Sequence, residues 1–116
     1  MDLRLRLVVA SSFMEVAIPL LGIDLQDGFQ DDEVAVSVNG EVLFRIPDLS
    51  TKLLLGFAHT ESLQVPEGPT EIIVDVPSRG VSGCIRLGIH QDTYVGITLL
   101  EKEVQHVVSL SPFNYM

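Results

Sequence analysis

The sequence predicts an all-β protein, a single-domain antiparallel β-sandwich or closed barrel of about eight strands. Three observations carry that reading. Val34, Val36 and Val38 alternate with other residues, Val42, Phe44 and Ile46 do the same, and Asn39-Gly40 sits between the two runs. Asn-Gly supplies the two positive-φ positions of a type I′ turn, so this stretch is expected to be a β-hairpin. Short β-branched runs cut by Gly, Pro, Asn and Asp recur along the rest of the chain, with no long helical period and no interior linker.

Taken in order, Leu3, Leu5 and Leu7 alternate with Arg4 and Arg6, which predicts a first strand over 3–10 with the arginines outward. A second strand is expected near Glu15–Ile18, because Pro19 and Gly22 oppose a long helix. An acidic loop over 24–33 follows, then the Asn-Gly hairpin, then turn material at Pro47-Asp48-Leu49-Ser50. Over Thr51–Ala58 a short helix capped by Ser50 competes with a strand; Gly56 and the β-rich neighbours favour the strand. Leu63-Gln64-Val65 is a short strand stopped by Pro66-Glu67-Gly68-Pro69, and Glu71–Val76 is a β-branched strand ending at Pro77. Residues 78–83 read as a glycine loop. Cys84–His90 and Tyr94–Leu100 flank Gln91-Asp92-Thr93, a three-residue hairpin connection, and Glu101-Lys102-Glu103 turns the chain into a last strand over 104–110.

Of the 116 residues 47% are hydrophobic, and the mean hydropathy is +0.36. So small a domain must hide that surface in an unusually complete core, in a pocket or at an interface. The net charge of −9 repels phosphates, so neither nucleic acid nor an anionic membrane is an expected partner. The single cysteine, Cys84, can make no internal disulfide. Its β-type neighbours predict a small buried hydrophobe, and its solitude fits a reducing compartment. With no stretch reading as a signal peptide or membrane span, the cytoplasm is the expected location.

The candidate chemistry is thin. Asp24, Asp27, Asp31, Asp32 and Glu33 crowd around Gly28, a carboxylate supply that would suit calcium, although without the spacing of an EF-hand. The alternative is a solvated connection whose charges keep strand edges apart. His59, His90 and His106 stand near strand ends and would hold zinc only if the fold converged them. Gly80-Val81-Ser82-Gly83 misses the nucleophile-elbow spacing by one residue; Arg79 and the loop amides offer an anion site, but the stretch reads better as a wide hairpin connection. Without tryptophan, and with only Tyr94 and Tyr115 as phenols, few platforms for sugars exist. Phe113, Tyr115 and Met116 are apolar residues in a tail, placed either to fold back on the core or to dock into another chain. Together with Arg4 and Arg6 they are the expected partner-binding residues.

Val36-Ser37-Val38-Asn39-Gly40, followed by Leu63 to Val74 with its Pro66-Glu67-Gly68 turn, resembles PEGA-type sandwich modules. Pro69 stands where their motif has alanine. The resemblance implies a small interaction or surface-associated β module. The residues lead to the same expectation, a non-catalytic binding or assembly module acting as a homo-oligomer or complex subunit. The competing expectation is a small-molecule or metal-binding barrel, an enzyme among the options, that uses the histidines or the acidic loop.

Overall fold

The structure, a computed structural model, describes residues 18–115. Eight strands form two four-stranded sheets, neither of them closed. They are β1 (Leu20–Leu25), β2 (Asp32–Val38), β3 (Glu41–Leu49), β4 (His59–Gln64), β5 (Gly68–Val76), β6 (Val81–Ile89), β7 (Thr93–Leu100) and β8 (Glu103–Ser109). The first sheet has the order β4-β1-β7-β8 and the second β3-β2-β5-β6. All pairings are antiparallel except β1 with β7.

Period-two alternation decides which face of each strand is buried. Leu21, Ile23, Leu25, Val95, Ile97 and Leu99 of the first sheet join Val34, Val36, Ile72, Val74, Val76 and Ile85 of the second in one hydrophobic cluster. The Asn-Gly hairpin joins β2 to β3, with Asn39 and Gly40 at φ of 52° and 87°, as a type I′ turn requires. The β5–β6 and β7–β8 hairpins keep an unbroken register.

Several expectations are corrected. The strand expected at 3–10 lies outside the described residues, as does most of Glu15–Ile18. Ile18 itself is exposed and outside any strand, and the ladder begins after Pro19, at Leu20. Gly22 does not break that strand, because the Tyr94 ring of β7 lies against it. A Cβ there would stand 2.6 Å from Tyr94 Cδ1. The acidic stretch is only partly loop, since Asp24 belongs to β1 while Asp32 and Glu33 open β2. Pro47 lies inside β3, an edge strand whose pairing with β2 shifts register twice, and an edge tolerates proline.

Thr51–Ala58 is neither strand nor helix. Lys52 bridges to Phe57, and the Lys52 carbonyl accepts from the N–H groups of Leu55 and Gly56, so the chain doubles back. Gln91-Asp92-Thr93 is not a hairpin, because β6 and β7 lie in different sheets. Asp92 Oδ1 accepts the Leu20 N–H at 2.8 Å, and β7 runs alongside β1 instead. Residues 78–83 shrink to a 3-10 turn at Pro77–Arg79 closed by Gly80, after which β6 begins at Val81. Cys84 is exposed, not buried: Ile85 takes the inward position, and its neighbour must point out. Among the described residues no helix is long and apolar enough to cross a membrane.

Candidate functional site

The outer face of the first sheet carries a closed polar network under the C-terminal tail. Alternation along β1 turns Asp24 away from the core, yet it is only 8% exposed. The Thr60 hydroxyl donates to its Oδ1 at 2.7 Å, and the Tyr115 hydroxyl donates to its Oδ2 at 2.7 Å. Gln26 Nε2 donates in turn to the Tyr115 oxygen at 2.9 Å. The Tyr115 ring packs on Phe57 with centroids 4.8 Å apart. Phe113 and Tyr115, both half-buried, line a groove of about 310 Å³ with Leu20, Phe57 and Tyr94. Burial pushes the Tyr115 phenol up to about 12; the Gln26 bond opposes the rise and the Asp24 carboxylate adds to it.

A second network closes the opposite flank of the acidic stretch. Asp32, 3% exposed, receives Arg79 bidentately, from Nε at 3.0 Å and Nη2 at 2.8 Å. It also accepts the Ser78 hydroxyl at 2.9 Å and the Gln30 N–H at 2.8 Å. Burial works to raise this carboxyl, but the bonds from Arg79, Gln30 and Ser78 outweigh it and hold the group below its ordinary value. The glycine stretch is a hairpin connection, joining β5 to β6, and Arg79 beside it pairs with the chain's own Asp32. Both networks act as clamps. One ties the tail to β1 and β4, and the other ties the 3-10 turn to the start of β2.

The remaining candidates are dispersed. Asp27 and Asp31 are exposed, the first accepting the Gly28 N–H and the second touching Ser50; Glu33 is half-buried. His59 lies 2.8 Å from Glu61 and packs on Phe44, His90 lies 3.1 Å from Glu67, and His106 is exposed on β8. Among the described residues no three His, Cys, Asp or Glu side chains gather closely enough to hold a metal ion. Cys84 Sγ stands 3.6 Å from Glu71 Oε2, which also pairs with Arg86 at 3.2 Å on the outer face of the second sheet. Arg4, Arg6 and Met116 lie outside the described residues.

Two surfaces were not foreseen. The turn at 52–56 holds Leu53 and Leu54 in solvent at 87% and 93% exposure. It does so on a fixed base: Thr51 exchanges bonds with Phe29 and with the Gln26 carbonyl, and the Ala58 N–H reaches the Leu25 carbonyl. Three consecutive leucines break the alternation that a strand would need, and that was the available signal. The second surface is β8, where Val107 and Val108 are about half exposed, at 50% and 43%, and Leu110 just beyond is 62% exposed.

No protein-family model and no curated protein matches the chain, so the likeness to PEGA-type modules stays at the level of turn chemistry.

Proposed function

We propose that this protein is a non-catalytic binding or assembly module that works by protein contact, as a homo-oligomer or as a subunit of a larger complex. In this reading its two sheets are the layers of a β-sandwich. The observation that carries it is the apolar surface held in water on fixed backbone, at the Leu53-Leu54 tip and along β8. The well-formed polar clusters support the same reading, because their side chains are engaged with each other. An exposed thiol at Cys84 suits the reducing cytoplasm. The test is absolute mass in solution, by light scattering behind a sizing column over a range of loading concentrations. A stable multiple of the 12.7 kDa chain supports the reading.

A small-molecule reading retains one observation, a depression of about 680 Å³ that includes Arg86 and His90. A chain that stays monomeric at every concentration would bring that reading forward.

A further inference from the structure

We propose that β8 is a self-complementary edge through which two copies of the chain pair antiparallel, with His106 on the two-fold axis. This rests on the assembly reading and names its partner, a second copy.

The four sheet edges differ in how they are guarded. β3 carries Pro47 and two register shifts, with Glu41, Arg45 and Asp48 along it. β4 is short and polar, with Glu61 near its centre. β6 carries Arg86 and two interior glycines. Such charges, prolines and irregularities are how sheets blunt an edge against pairing. β8 has none of them in its interior. It pairs with β7 over seven residues without a shift, and among the described residues no further strand pairs with it, although β6 of the second sheet packs beside it with Gly83 against Val104. Its only carboxylate is Glu103, at one end.

The order of residues in β8 suits its own reverse. Centred on His106, an antiparallel pair sets Glu103 opposite the second copy's Ser109, Val104 opposite Val108, and Gln105 opposite Val107. Valine meets valine, and all seven residues are used. The two Glu103 side chains fall at opposite ends, roughly 20 Å apart. That exceeds the screening length of about 8 Å at physiological salt. Two chains of net charge −9 can therefore meet here without apposing their acids. Val107 shares the outer face with Gly96, its cross-strand partner, so its exposed side chain would be covered from the side by the joined sheet.

The test is a single-cysteine scan of positions 104 to 108 in the full-length Cys84→Ser chain, under mild oxidation. Directly opposed Cα atoms in an antiparallel pair stand about 4.5–5.5 Å apart, within disulfide reach. His106→Cys should form a covalent dimer at least about tenfold faster than Val104→Cys or Val108→Cys, whose copies sit four residues out of step, about 13 Å apart. Gln105→Cys mixed with Val107→Cys should give the heterodimer. Val107→Lys should weaken association by about 100-fold or more, through two unpaired cations at the seam, while its melting curve as a monomer stays cooperative. A flat or displaced cross-linking pattern on a chain that is still a multimer overturns this pairing and leaves the assembly reading standing. So does a Val107→Lys chain of unchanged mass. A chain monomeric at every concentration overturns this pairing and the homo-oligomer form of the assembly reading.

Discussion

Replacing Tyr115 by phenylalanine tests whether the tail is bound by one buried carboxylate. The substitution keeps the ring on Phe57 and removes only the hydroxyl, which donates to Asp24 at 2.7 Å and accepts from Gln26 at 2.9 Å. Asp24 is left with Thr60 alone and stays shielded from water. A hydrogen bond to a charged acceptor contributes about 1.5–3 kcal/mol, and part of the loss is recovered if the tail lifts and lets water in. The expected cost is therefore about 2 kcal/mol, which in a chain of this size lowers Tm by roughly 6–12 °C. Urea unfolding of Tyr115→Phe gives the cost directly, and the same change in an Asp24→Val background gives the control. There the hydroxyl has no carboxylate to serve, and the cost should fall below about 0.5 kcal/mol. A loss of equal size in both backgrounds would refute the coupling to Asp24 and assign the cost to the Gln26 bond. The phenol also sets a pH window. Its folded value, about 12, lies above the ordinary 10.0, so its contribution is complete below pH 10 and is lost as pH rises through 12. Absorbance at 295 nm in a Tyr94→Phe chain should show that late titration.

Other consequences are simpler to check. Arg79→Met strands the buried Asp32 carboxylate and should cost about 3 kcal/mol in urea. Because the Asp32 carboxyl is held below 3.8, its stabilisation is present above that pH and fades as pH falls further, so Arg79→Met should shift acid unfolding, followed by circular dichroism, to higher pH. Gly28→Ala places a Cβ 1.7 Å from the Leu99 carbonyl oxygen at φ of +90°, and the melt should fall by at least ~2 kcal/mol. Leu53→Ser with Leu54→Ser should leave stability within about 0.5 kcal/mol, since both side chains are in water, yet shorten retention on a hydrophobic column.

What the sequence discloses here is local. The β2–β3 hairpin is legible because Asn39-Gly40 fixes its turn and the flanking valines fix its faces, all within one stretch of chain. The same holds for β5, with proline at both ends. β1 is hidden, because Gly22 signals a breaker unless one knows that Tyr94, on a strand 72 residues later, covers it. The connection at Gln91–Thr93 has hairpin length and hairpin composition. The parallel register of β7 with β1, with the Leu20 N–H bonded to Asp92, shows that the strand after it joins the other sheet. Cys84 is the instructive error. Its β neighbours were legible, but a strand has two faces, and Ile85 already claimed the inner one. The site fails for a related reason. In sequence Asp24 and Asp32 read as members of one loop, whereas their partners, Thr60, Tyr115, Ser78 and Arg79, come from at least 36 residues away. Spacing along the chain carries no trace of them.

The same partners decide what the acidic stretch can bind. A calcium ion takes about six to eight oxygens, several of them carboxylate. Both oxygens of Asp24 are occupied by hydroxyl donors, and those of Asp32 face a guanidinium that already supplies the counter-charge. To enter, the ion would have to displace Arg79 or lift the tail. Asp27 and Asp31, left at the surface, engage the Gly28 N–H and Ser50, and among the described residues these two and Glu33 do not gather closely enough to form a shell. Calcium at millimolar concentration should therefore move Tm by less than about 1 °C, because an ion stabilises only in proportion to its binding to the folded state. The differential scan is run with and without chelator on the same sample. A rise of several degrees that chelator reverses would mean that the stretch rearranges around the ion. The Asp32–Arg79 clamp would then be one of two states, and Arg79→Met, which frees the carboxylate, would enlarge the rise.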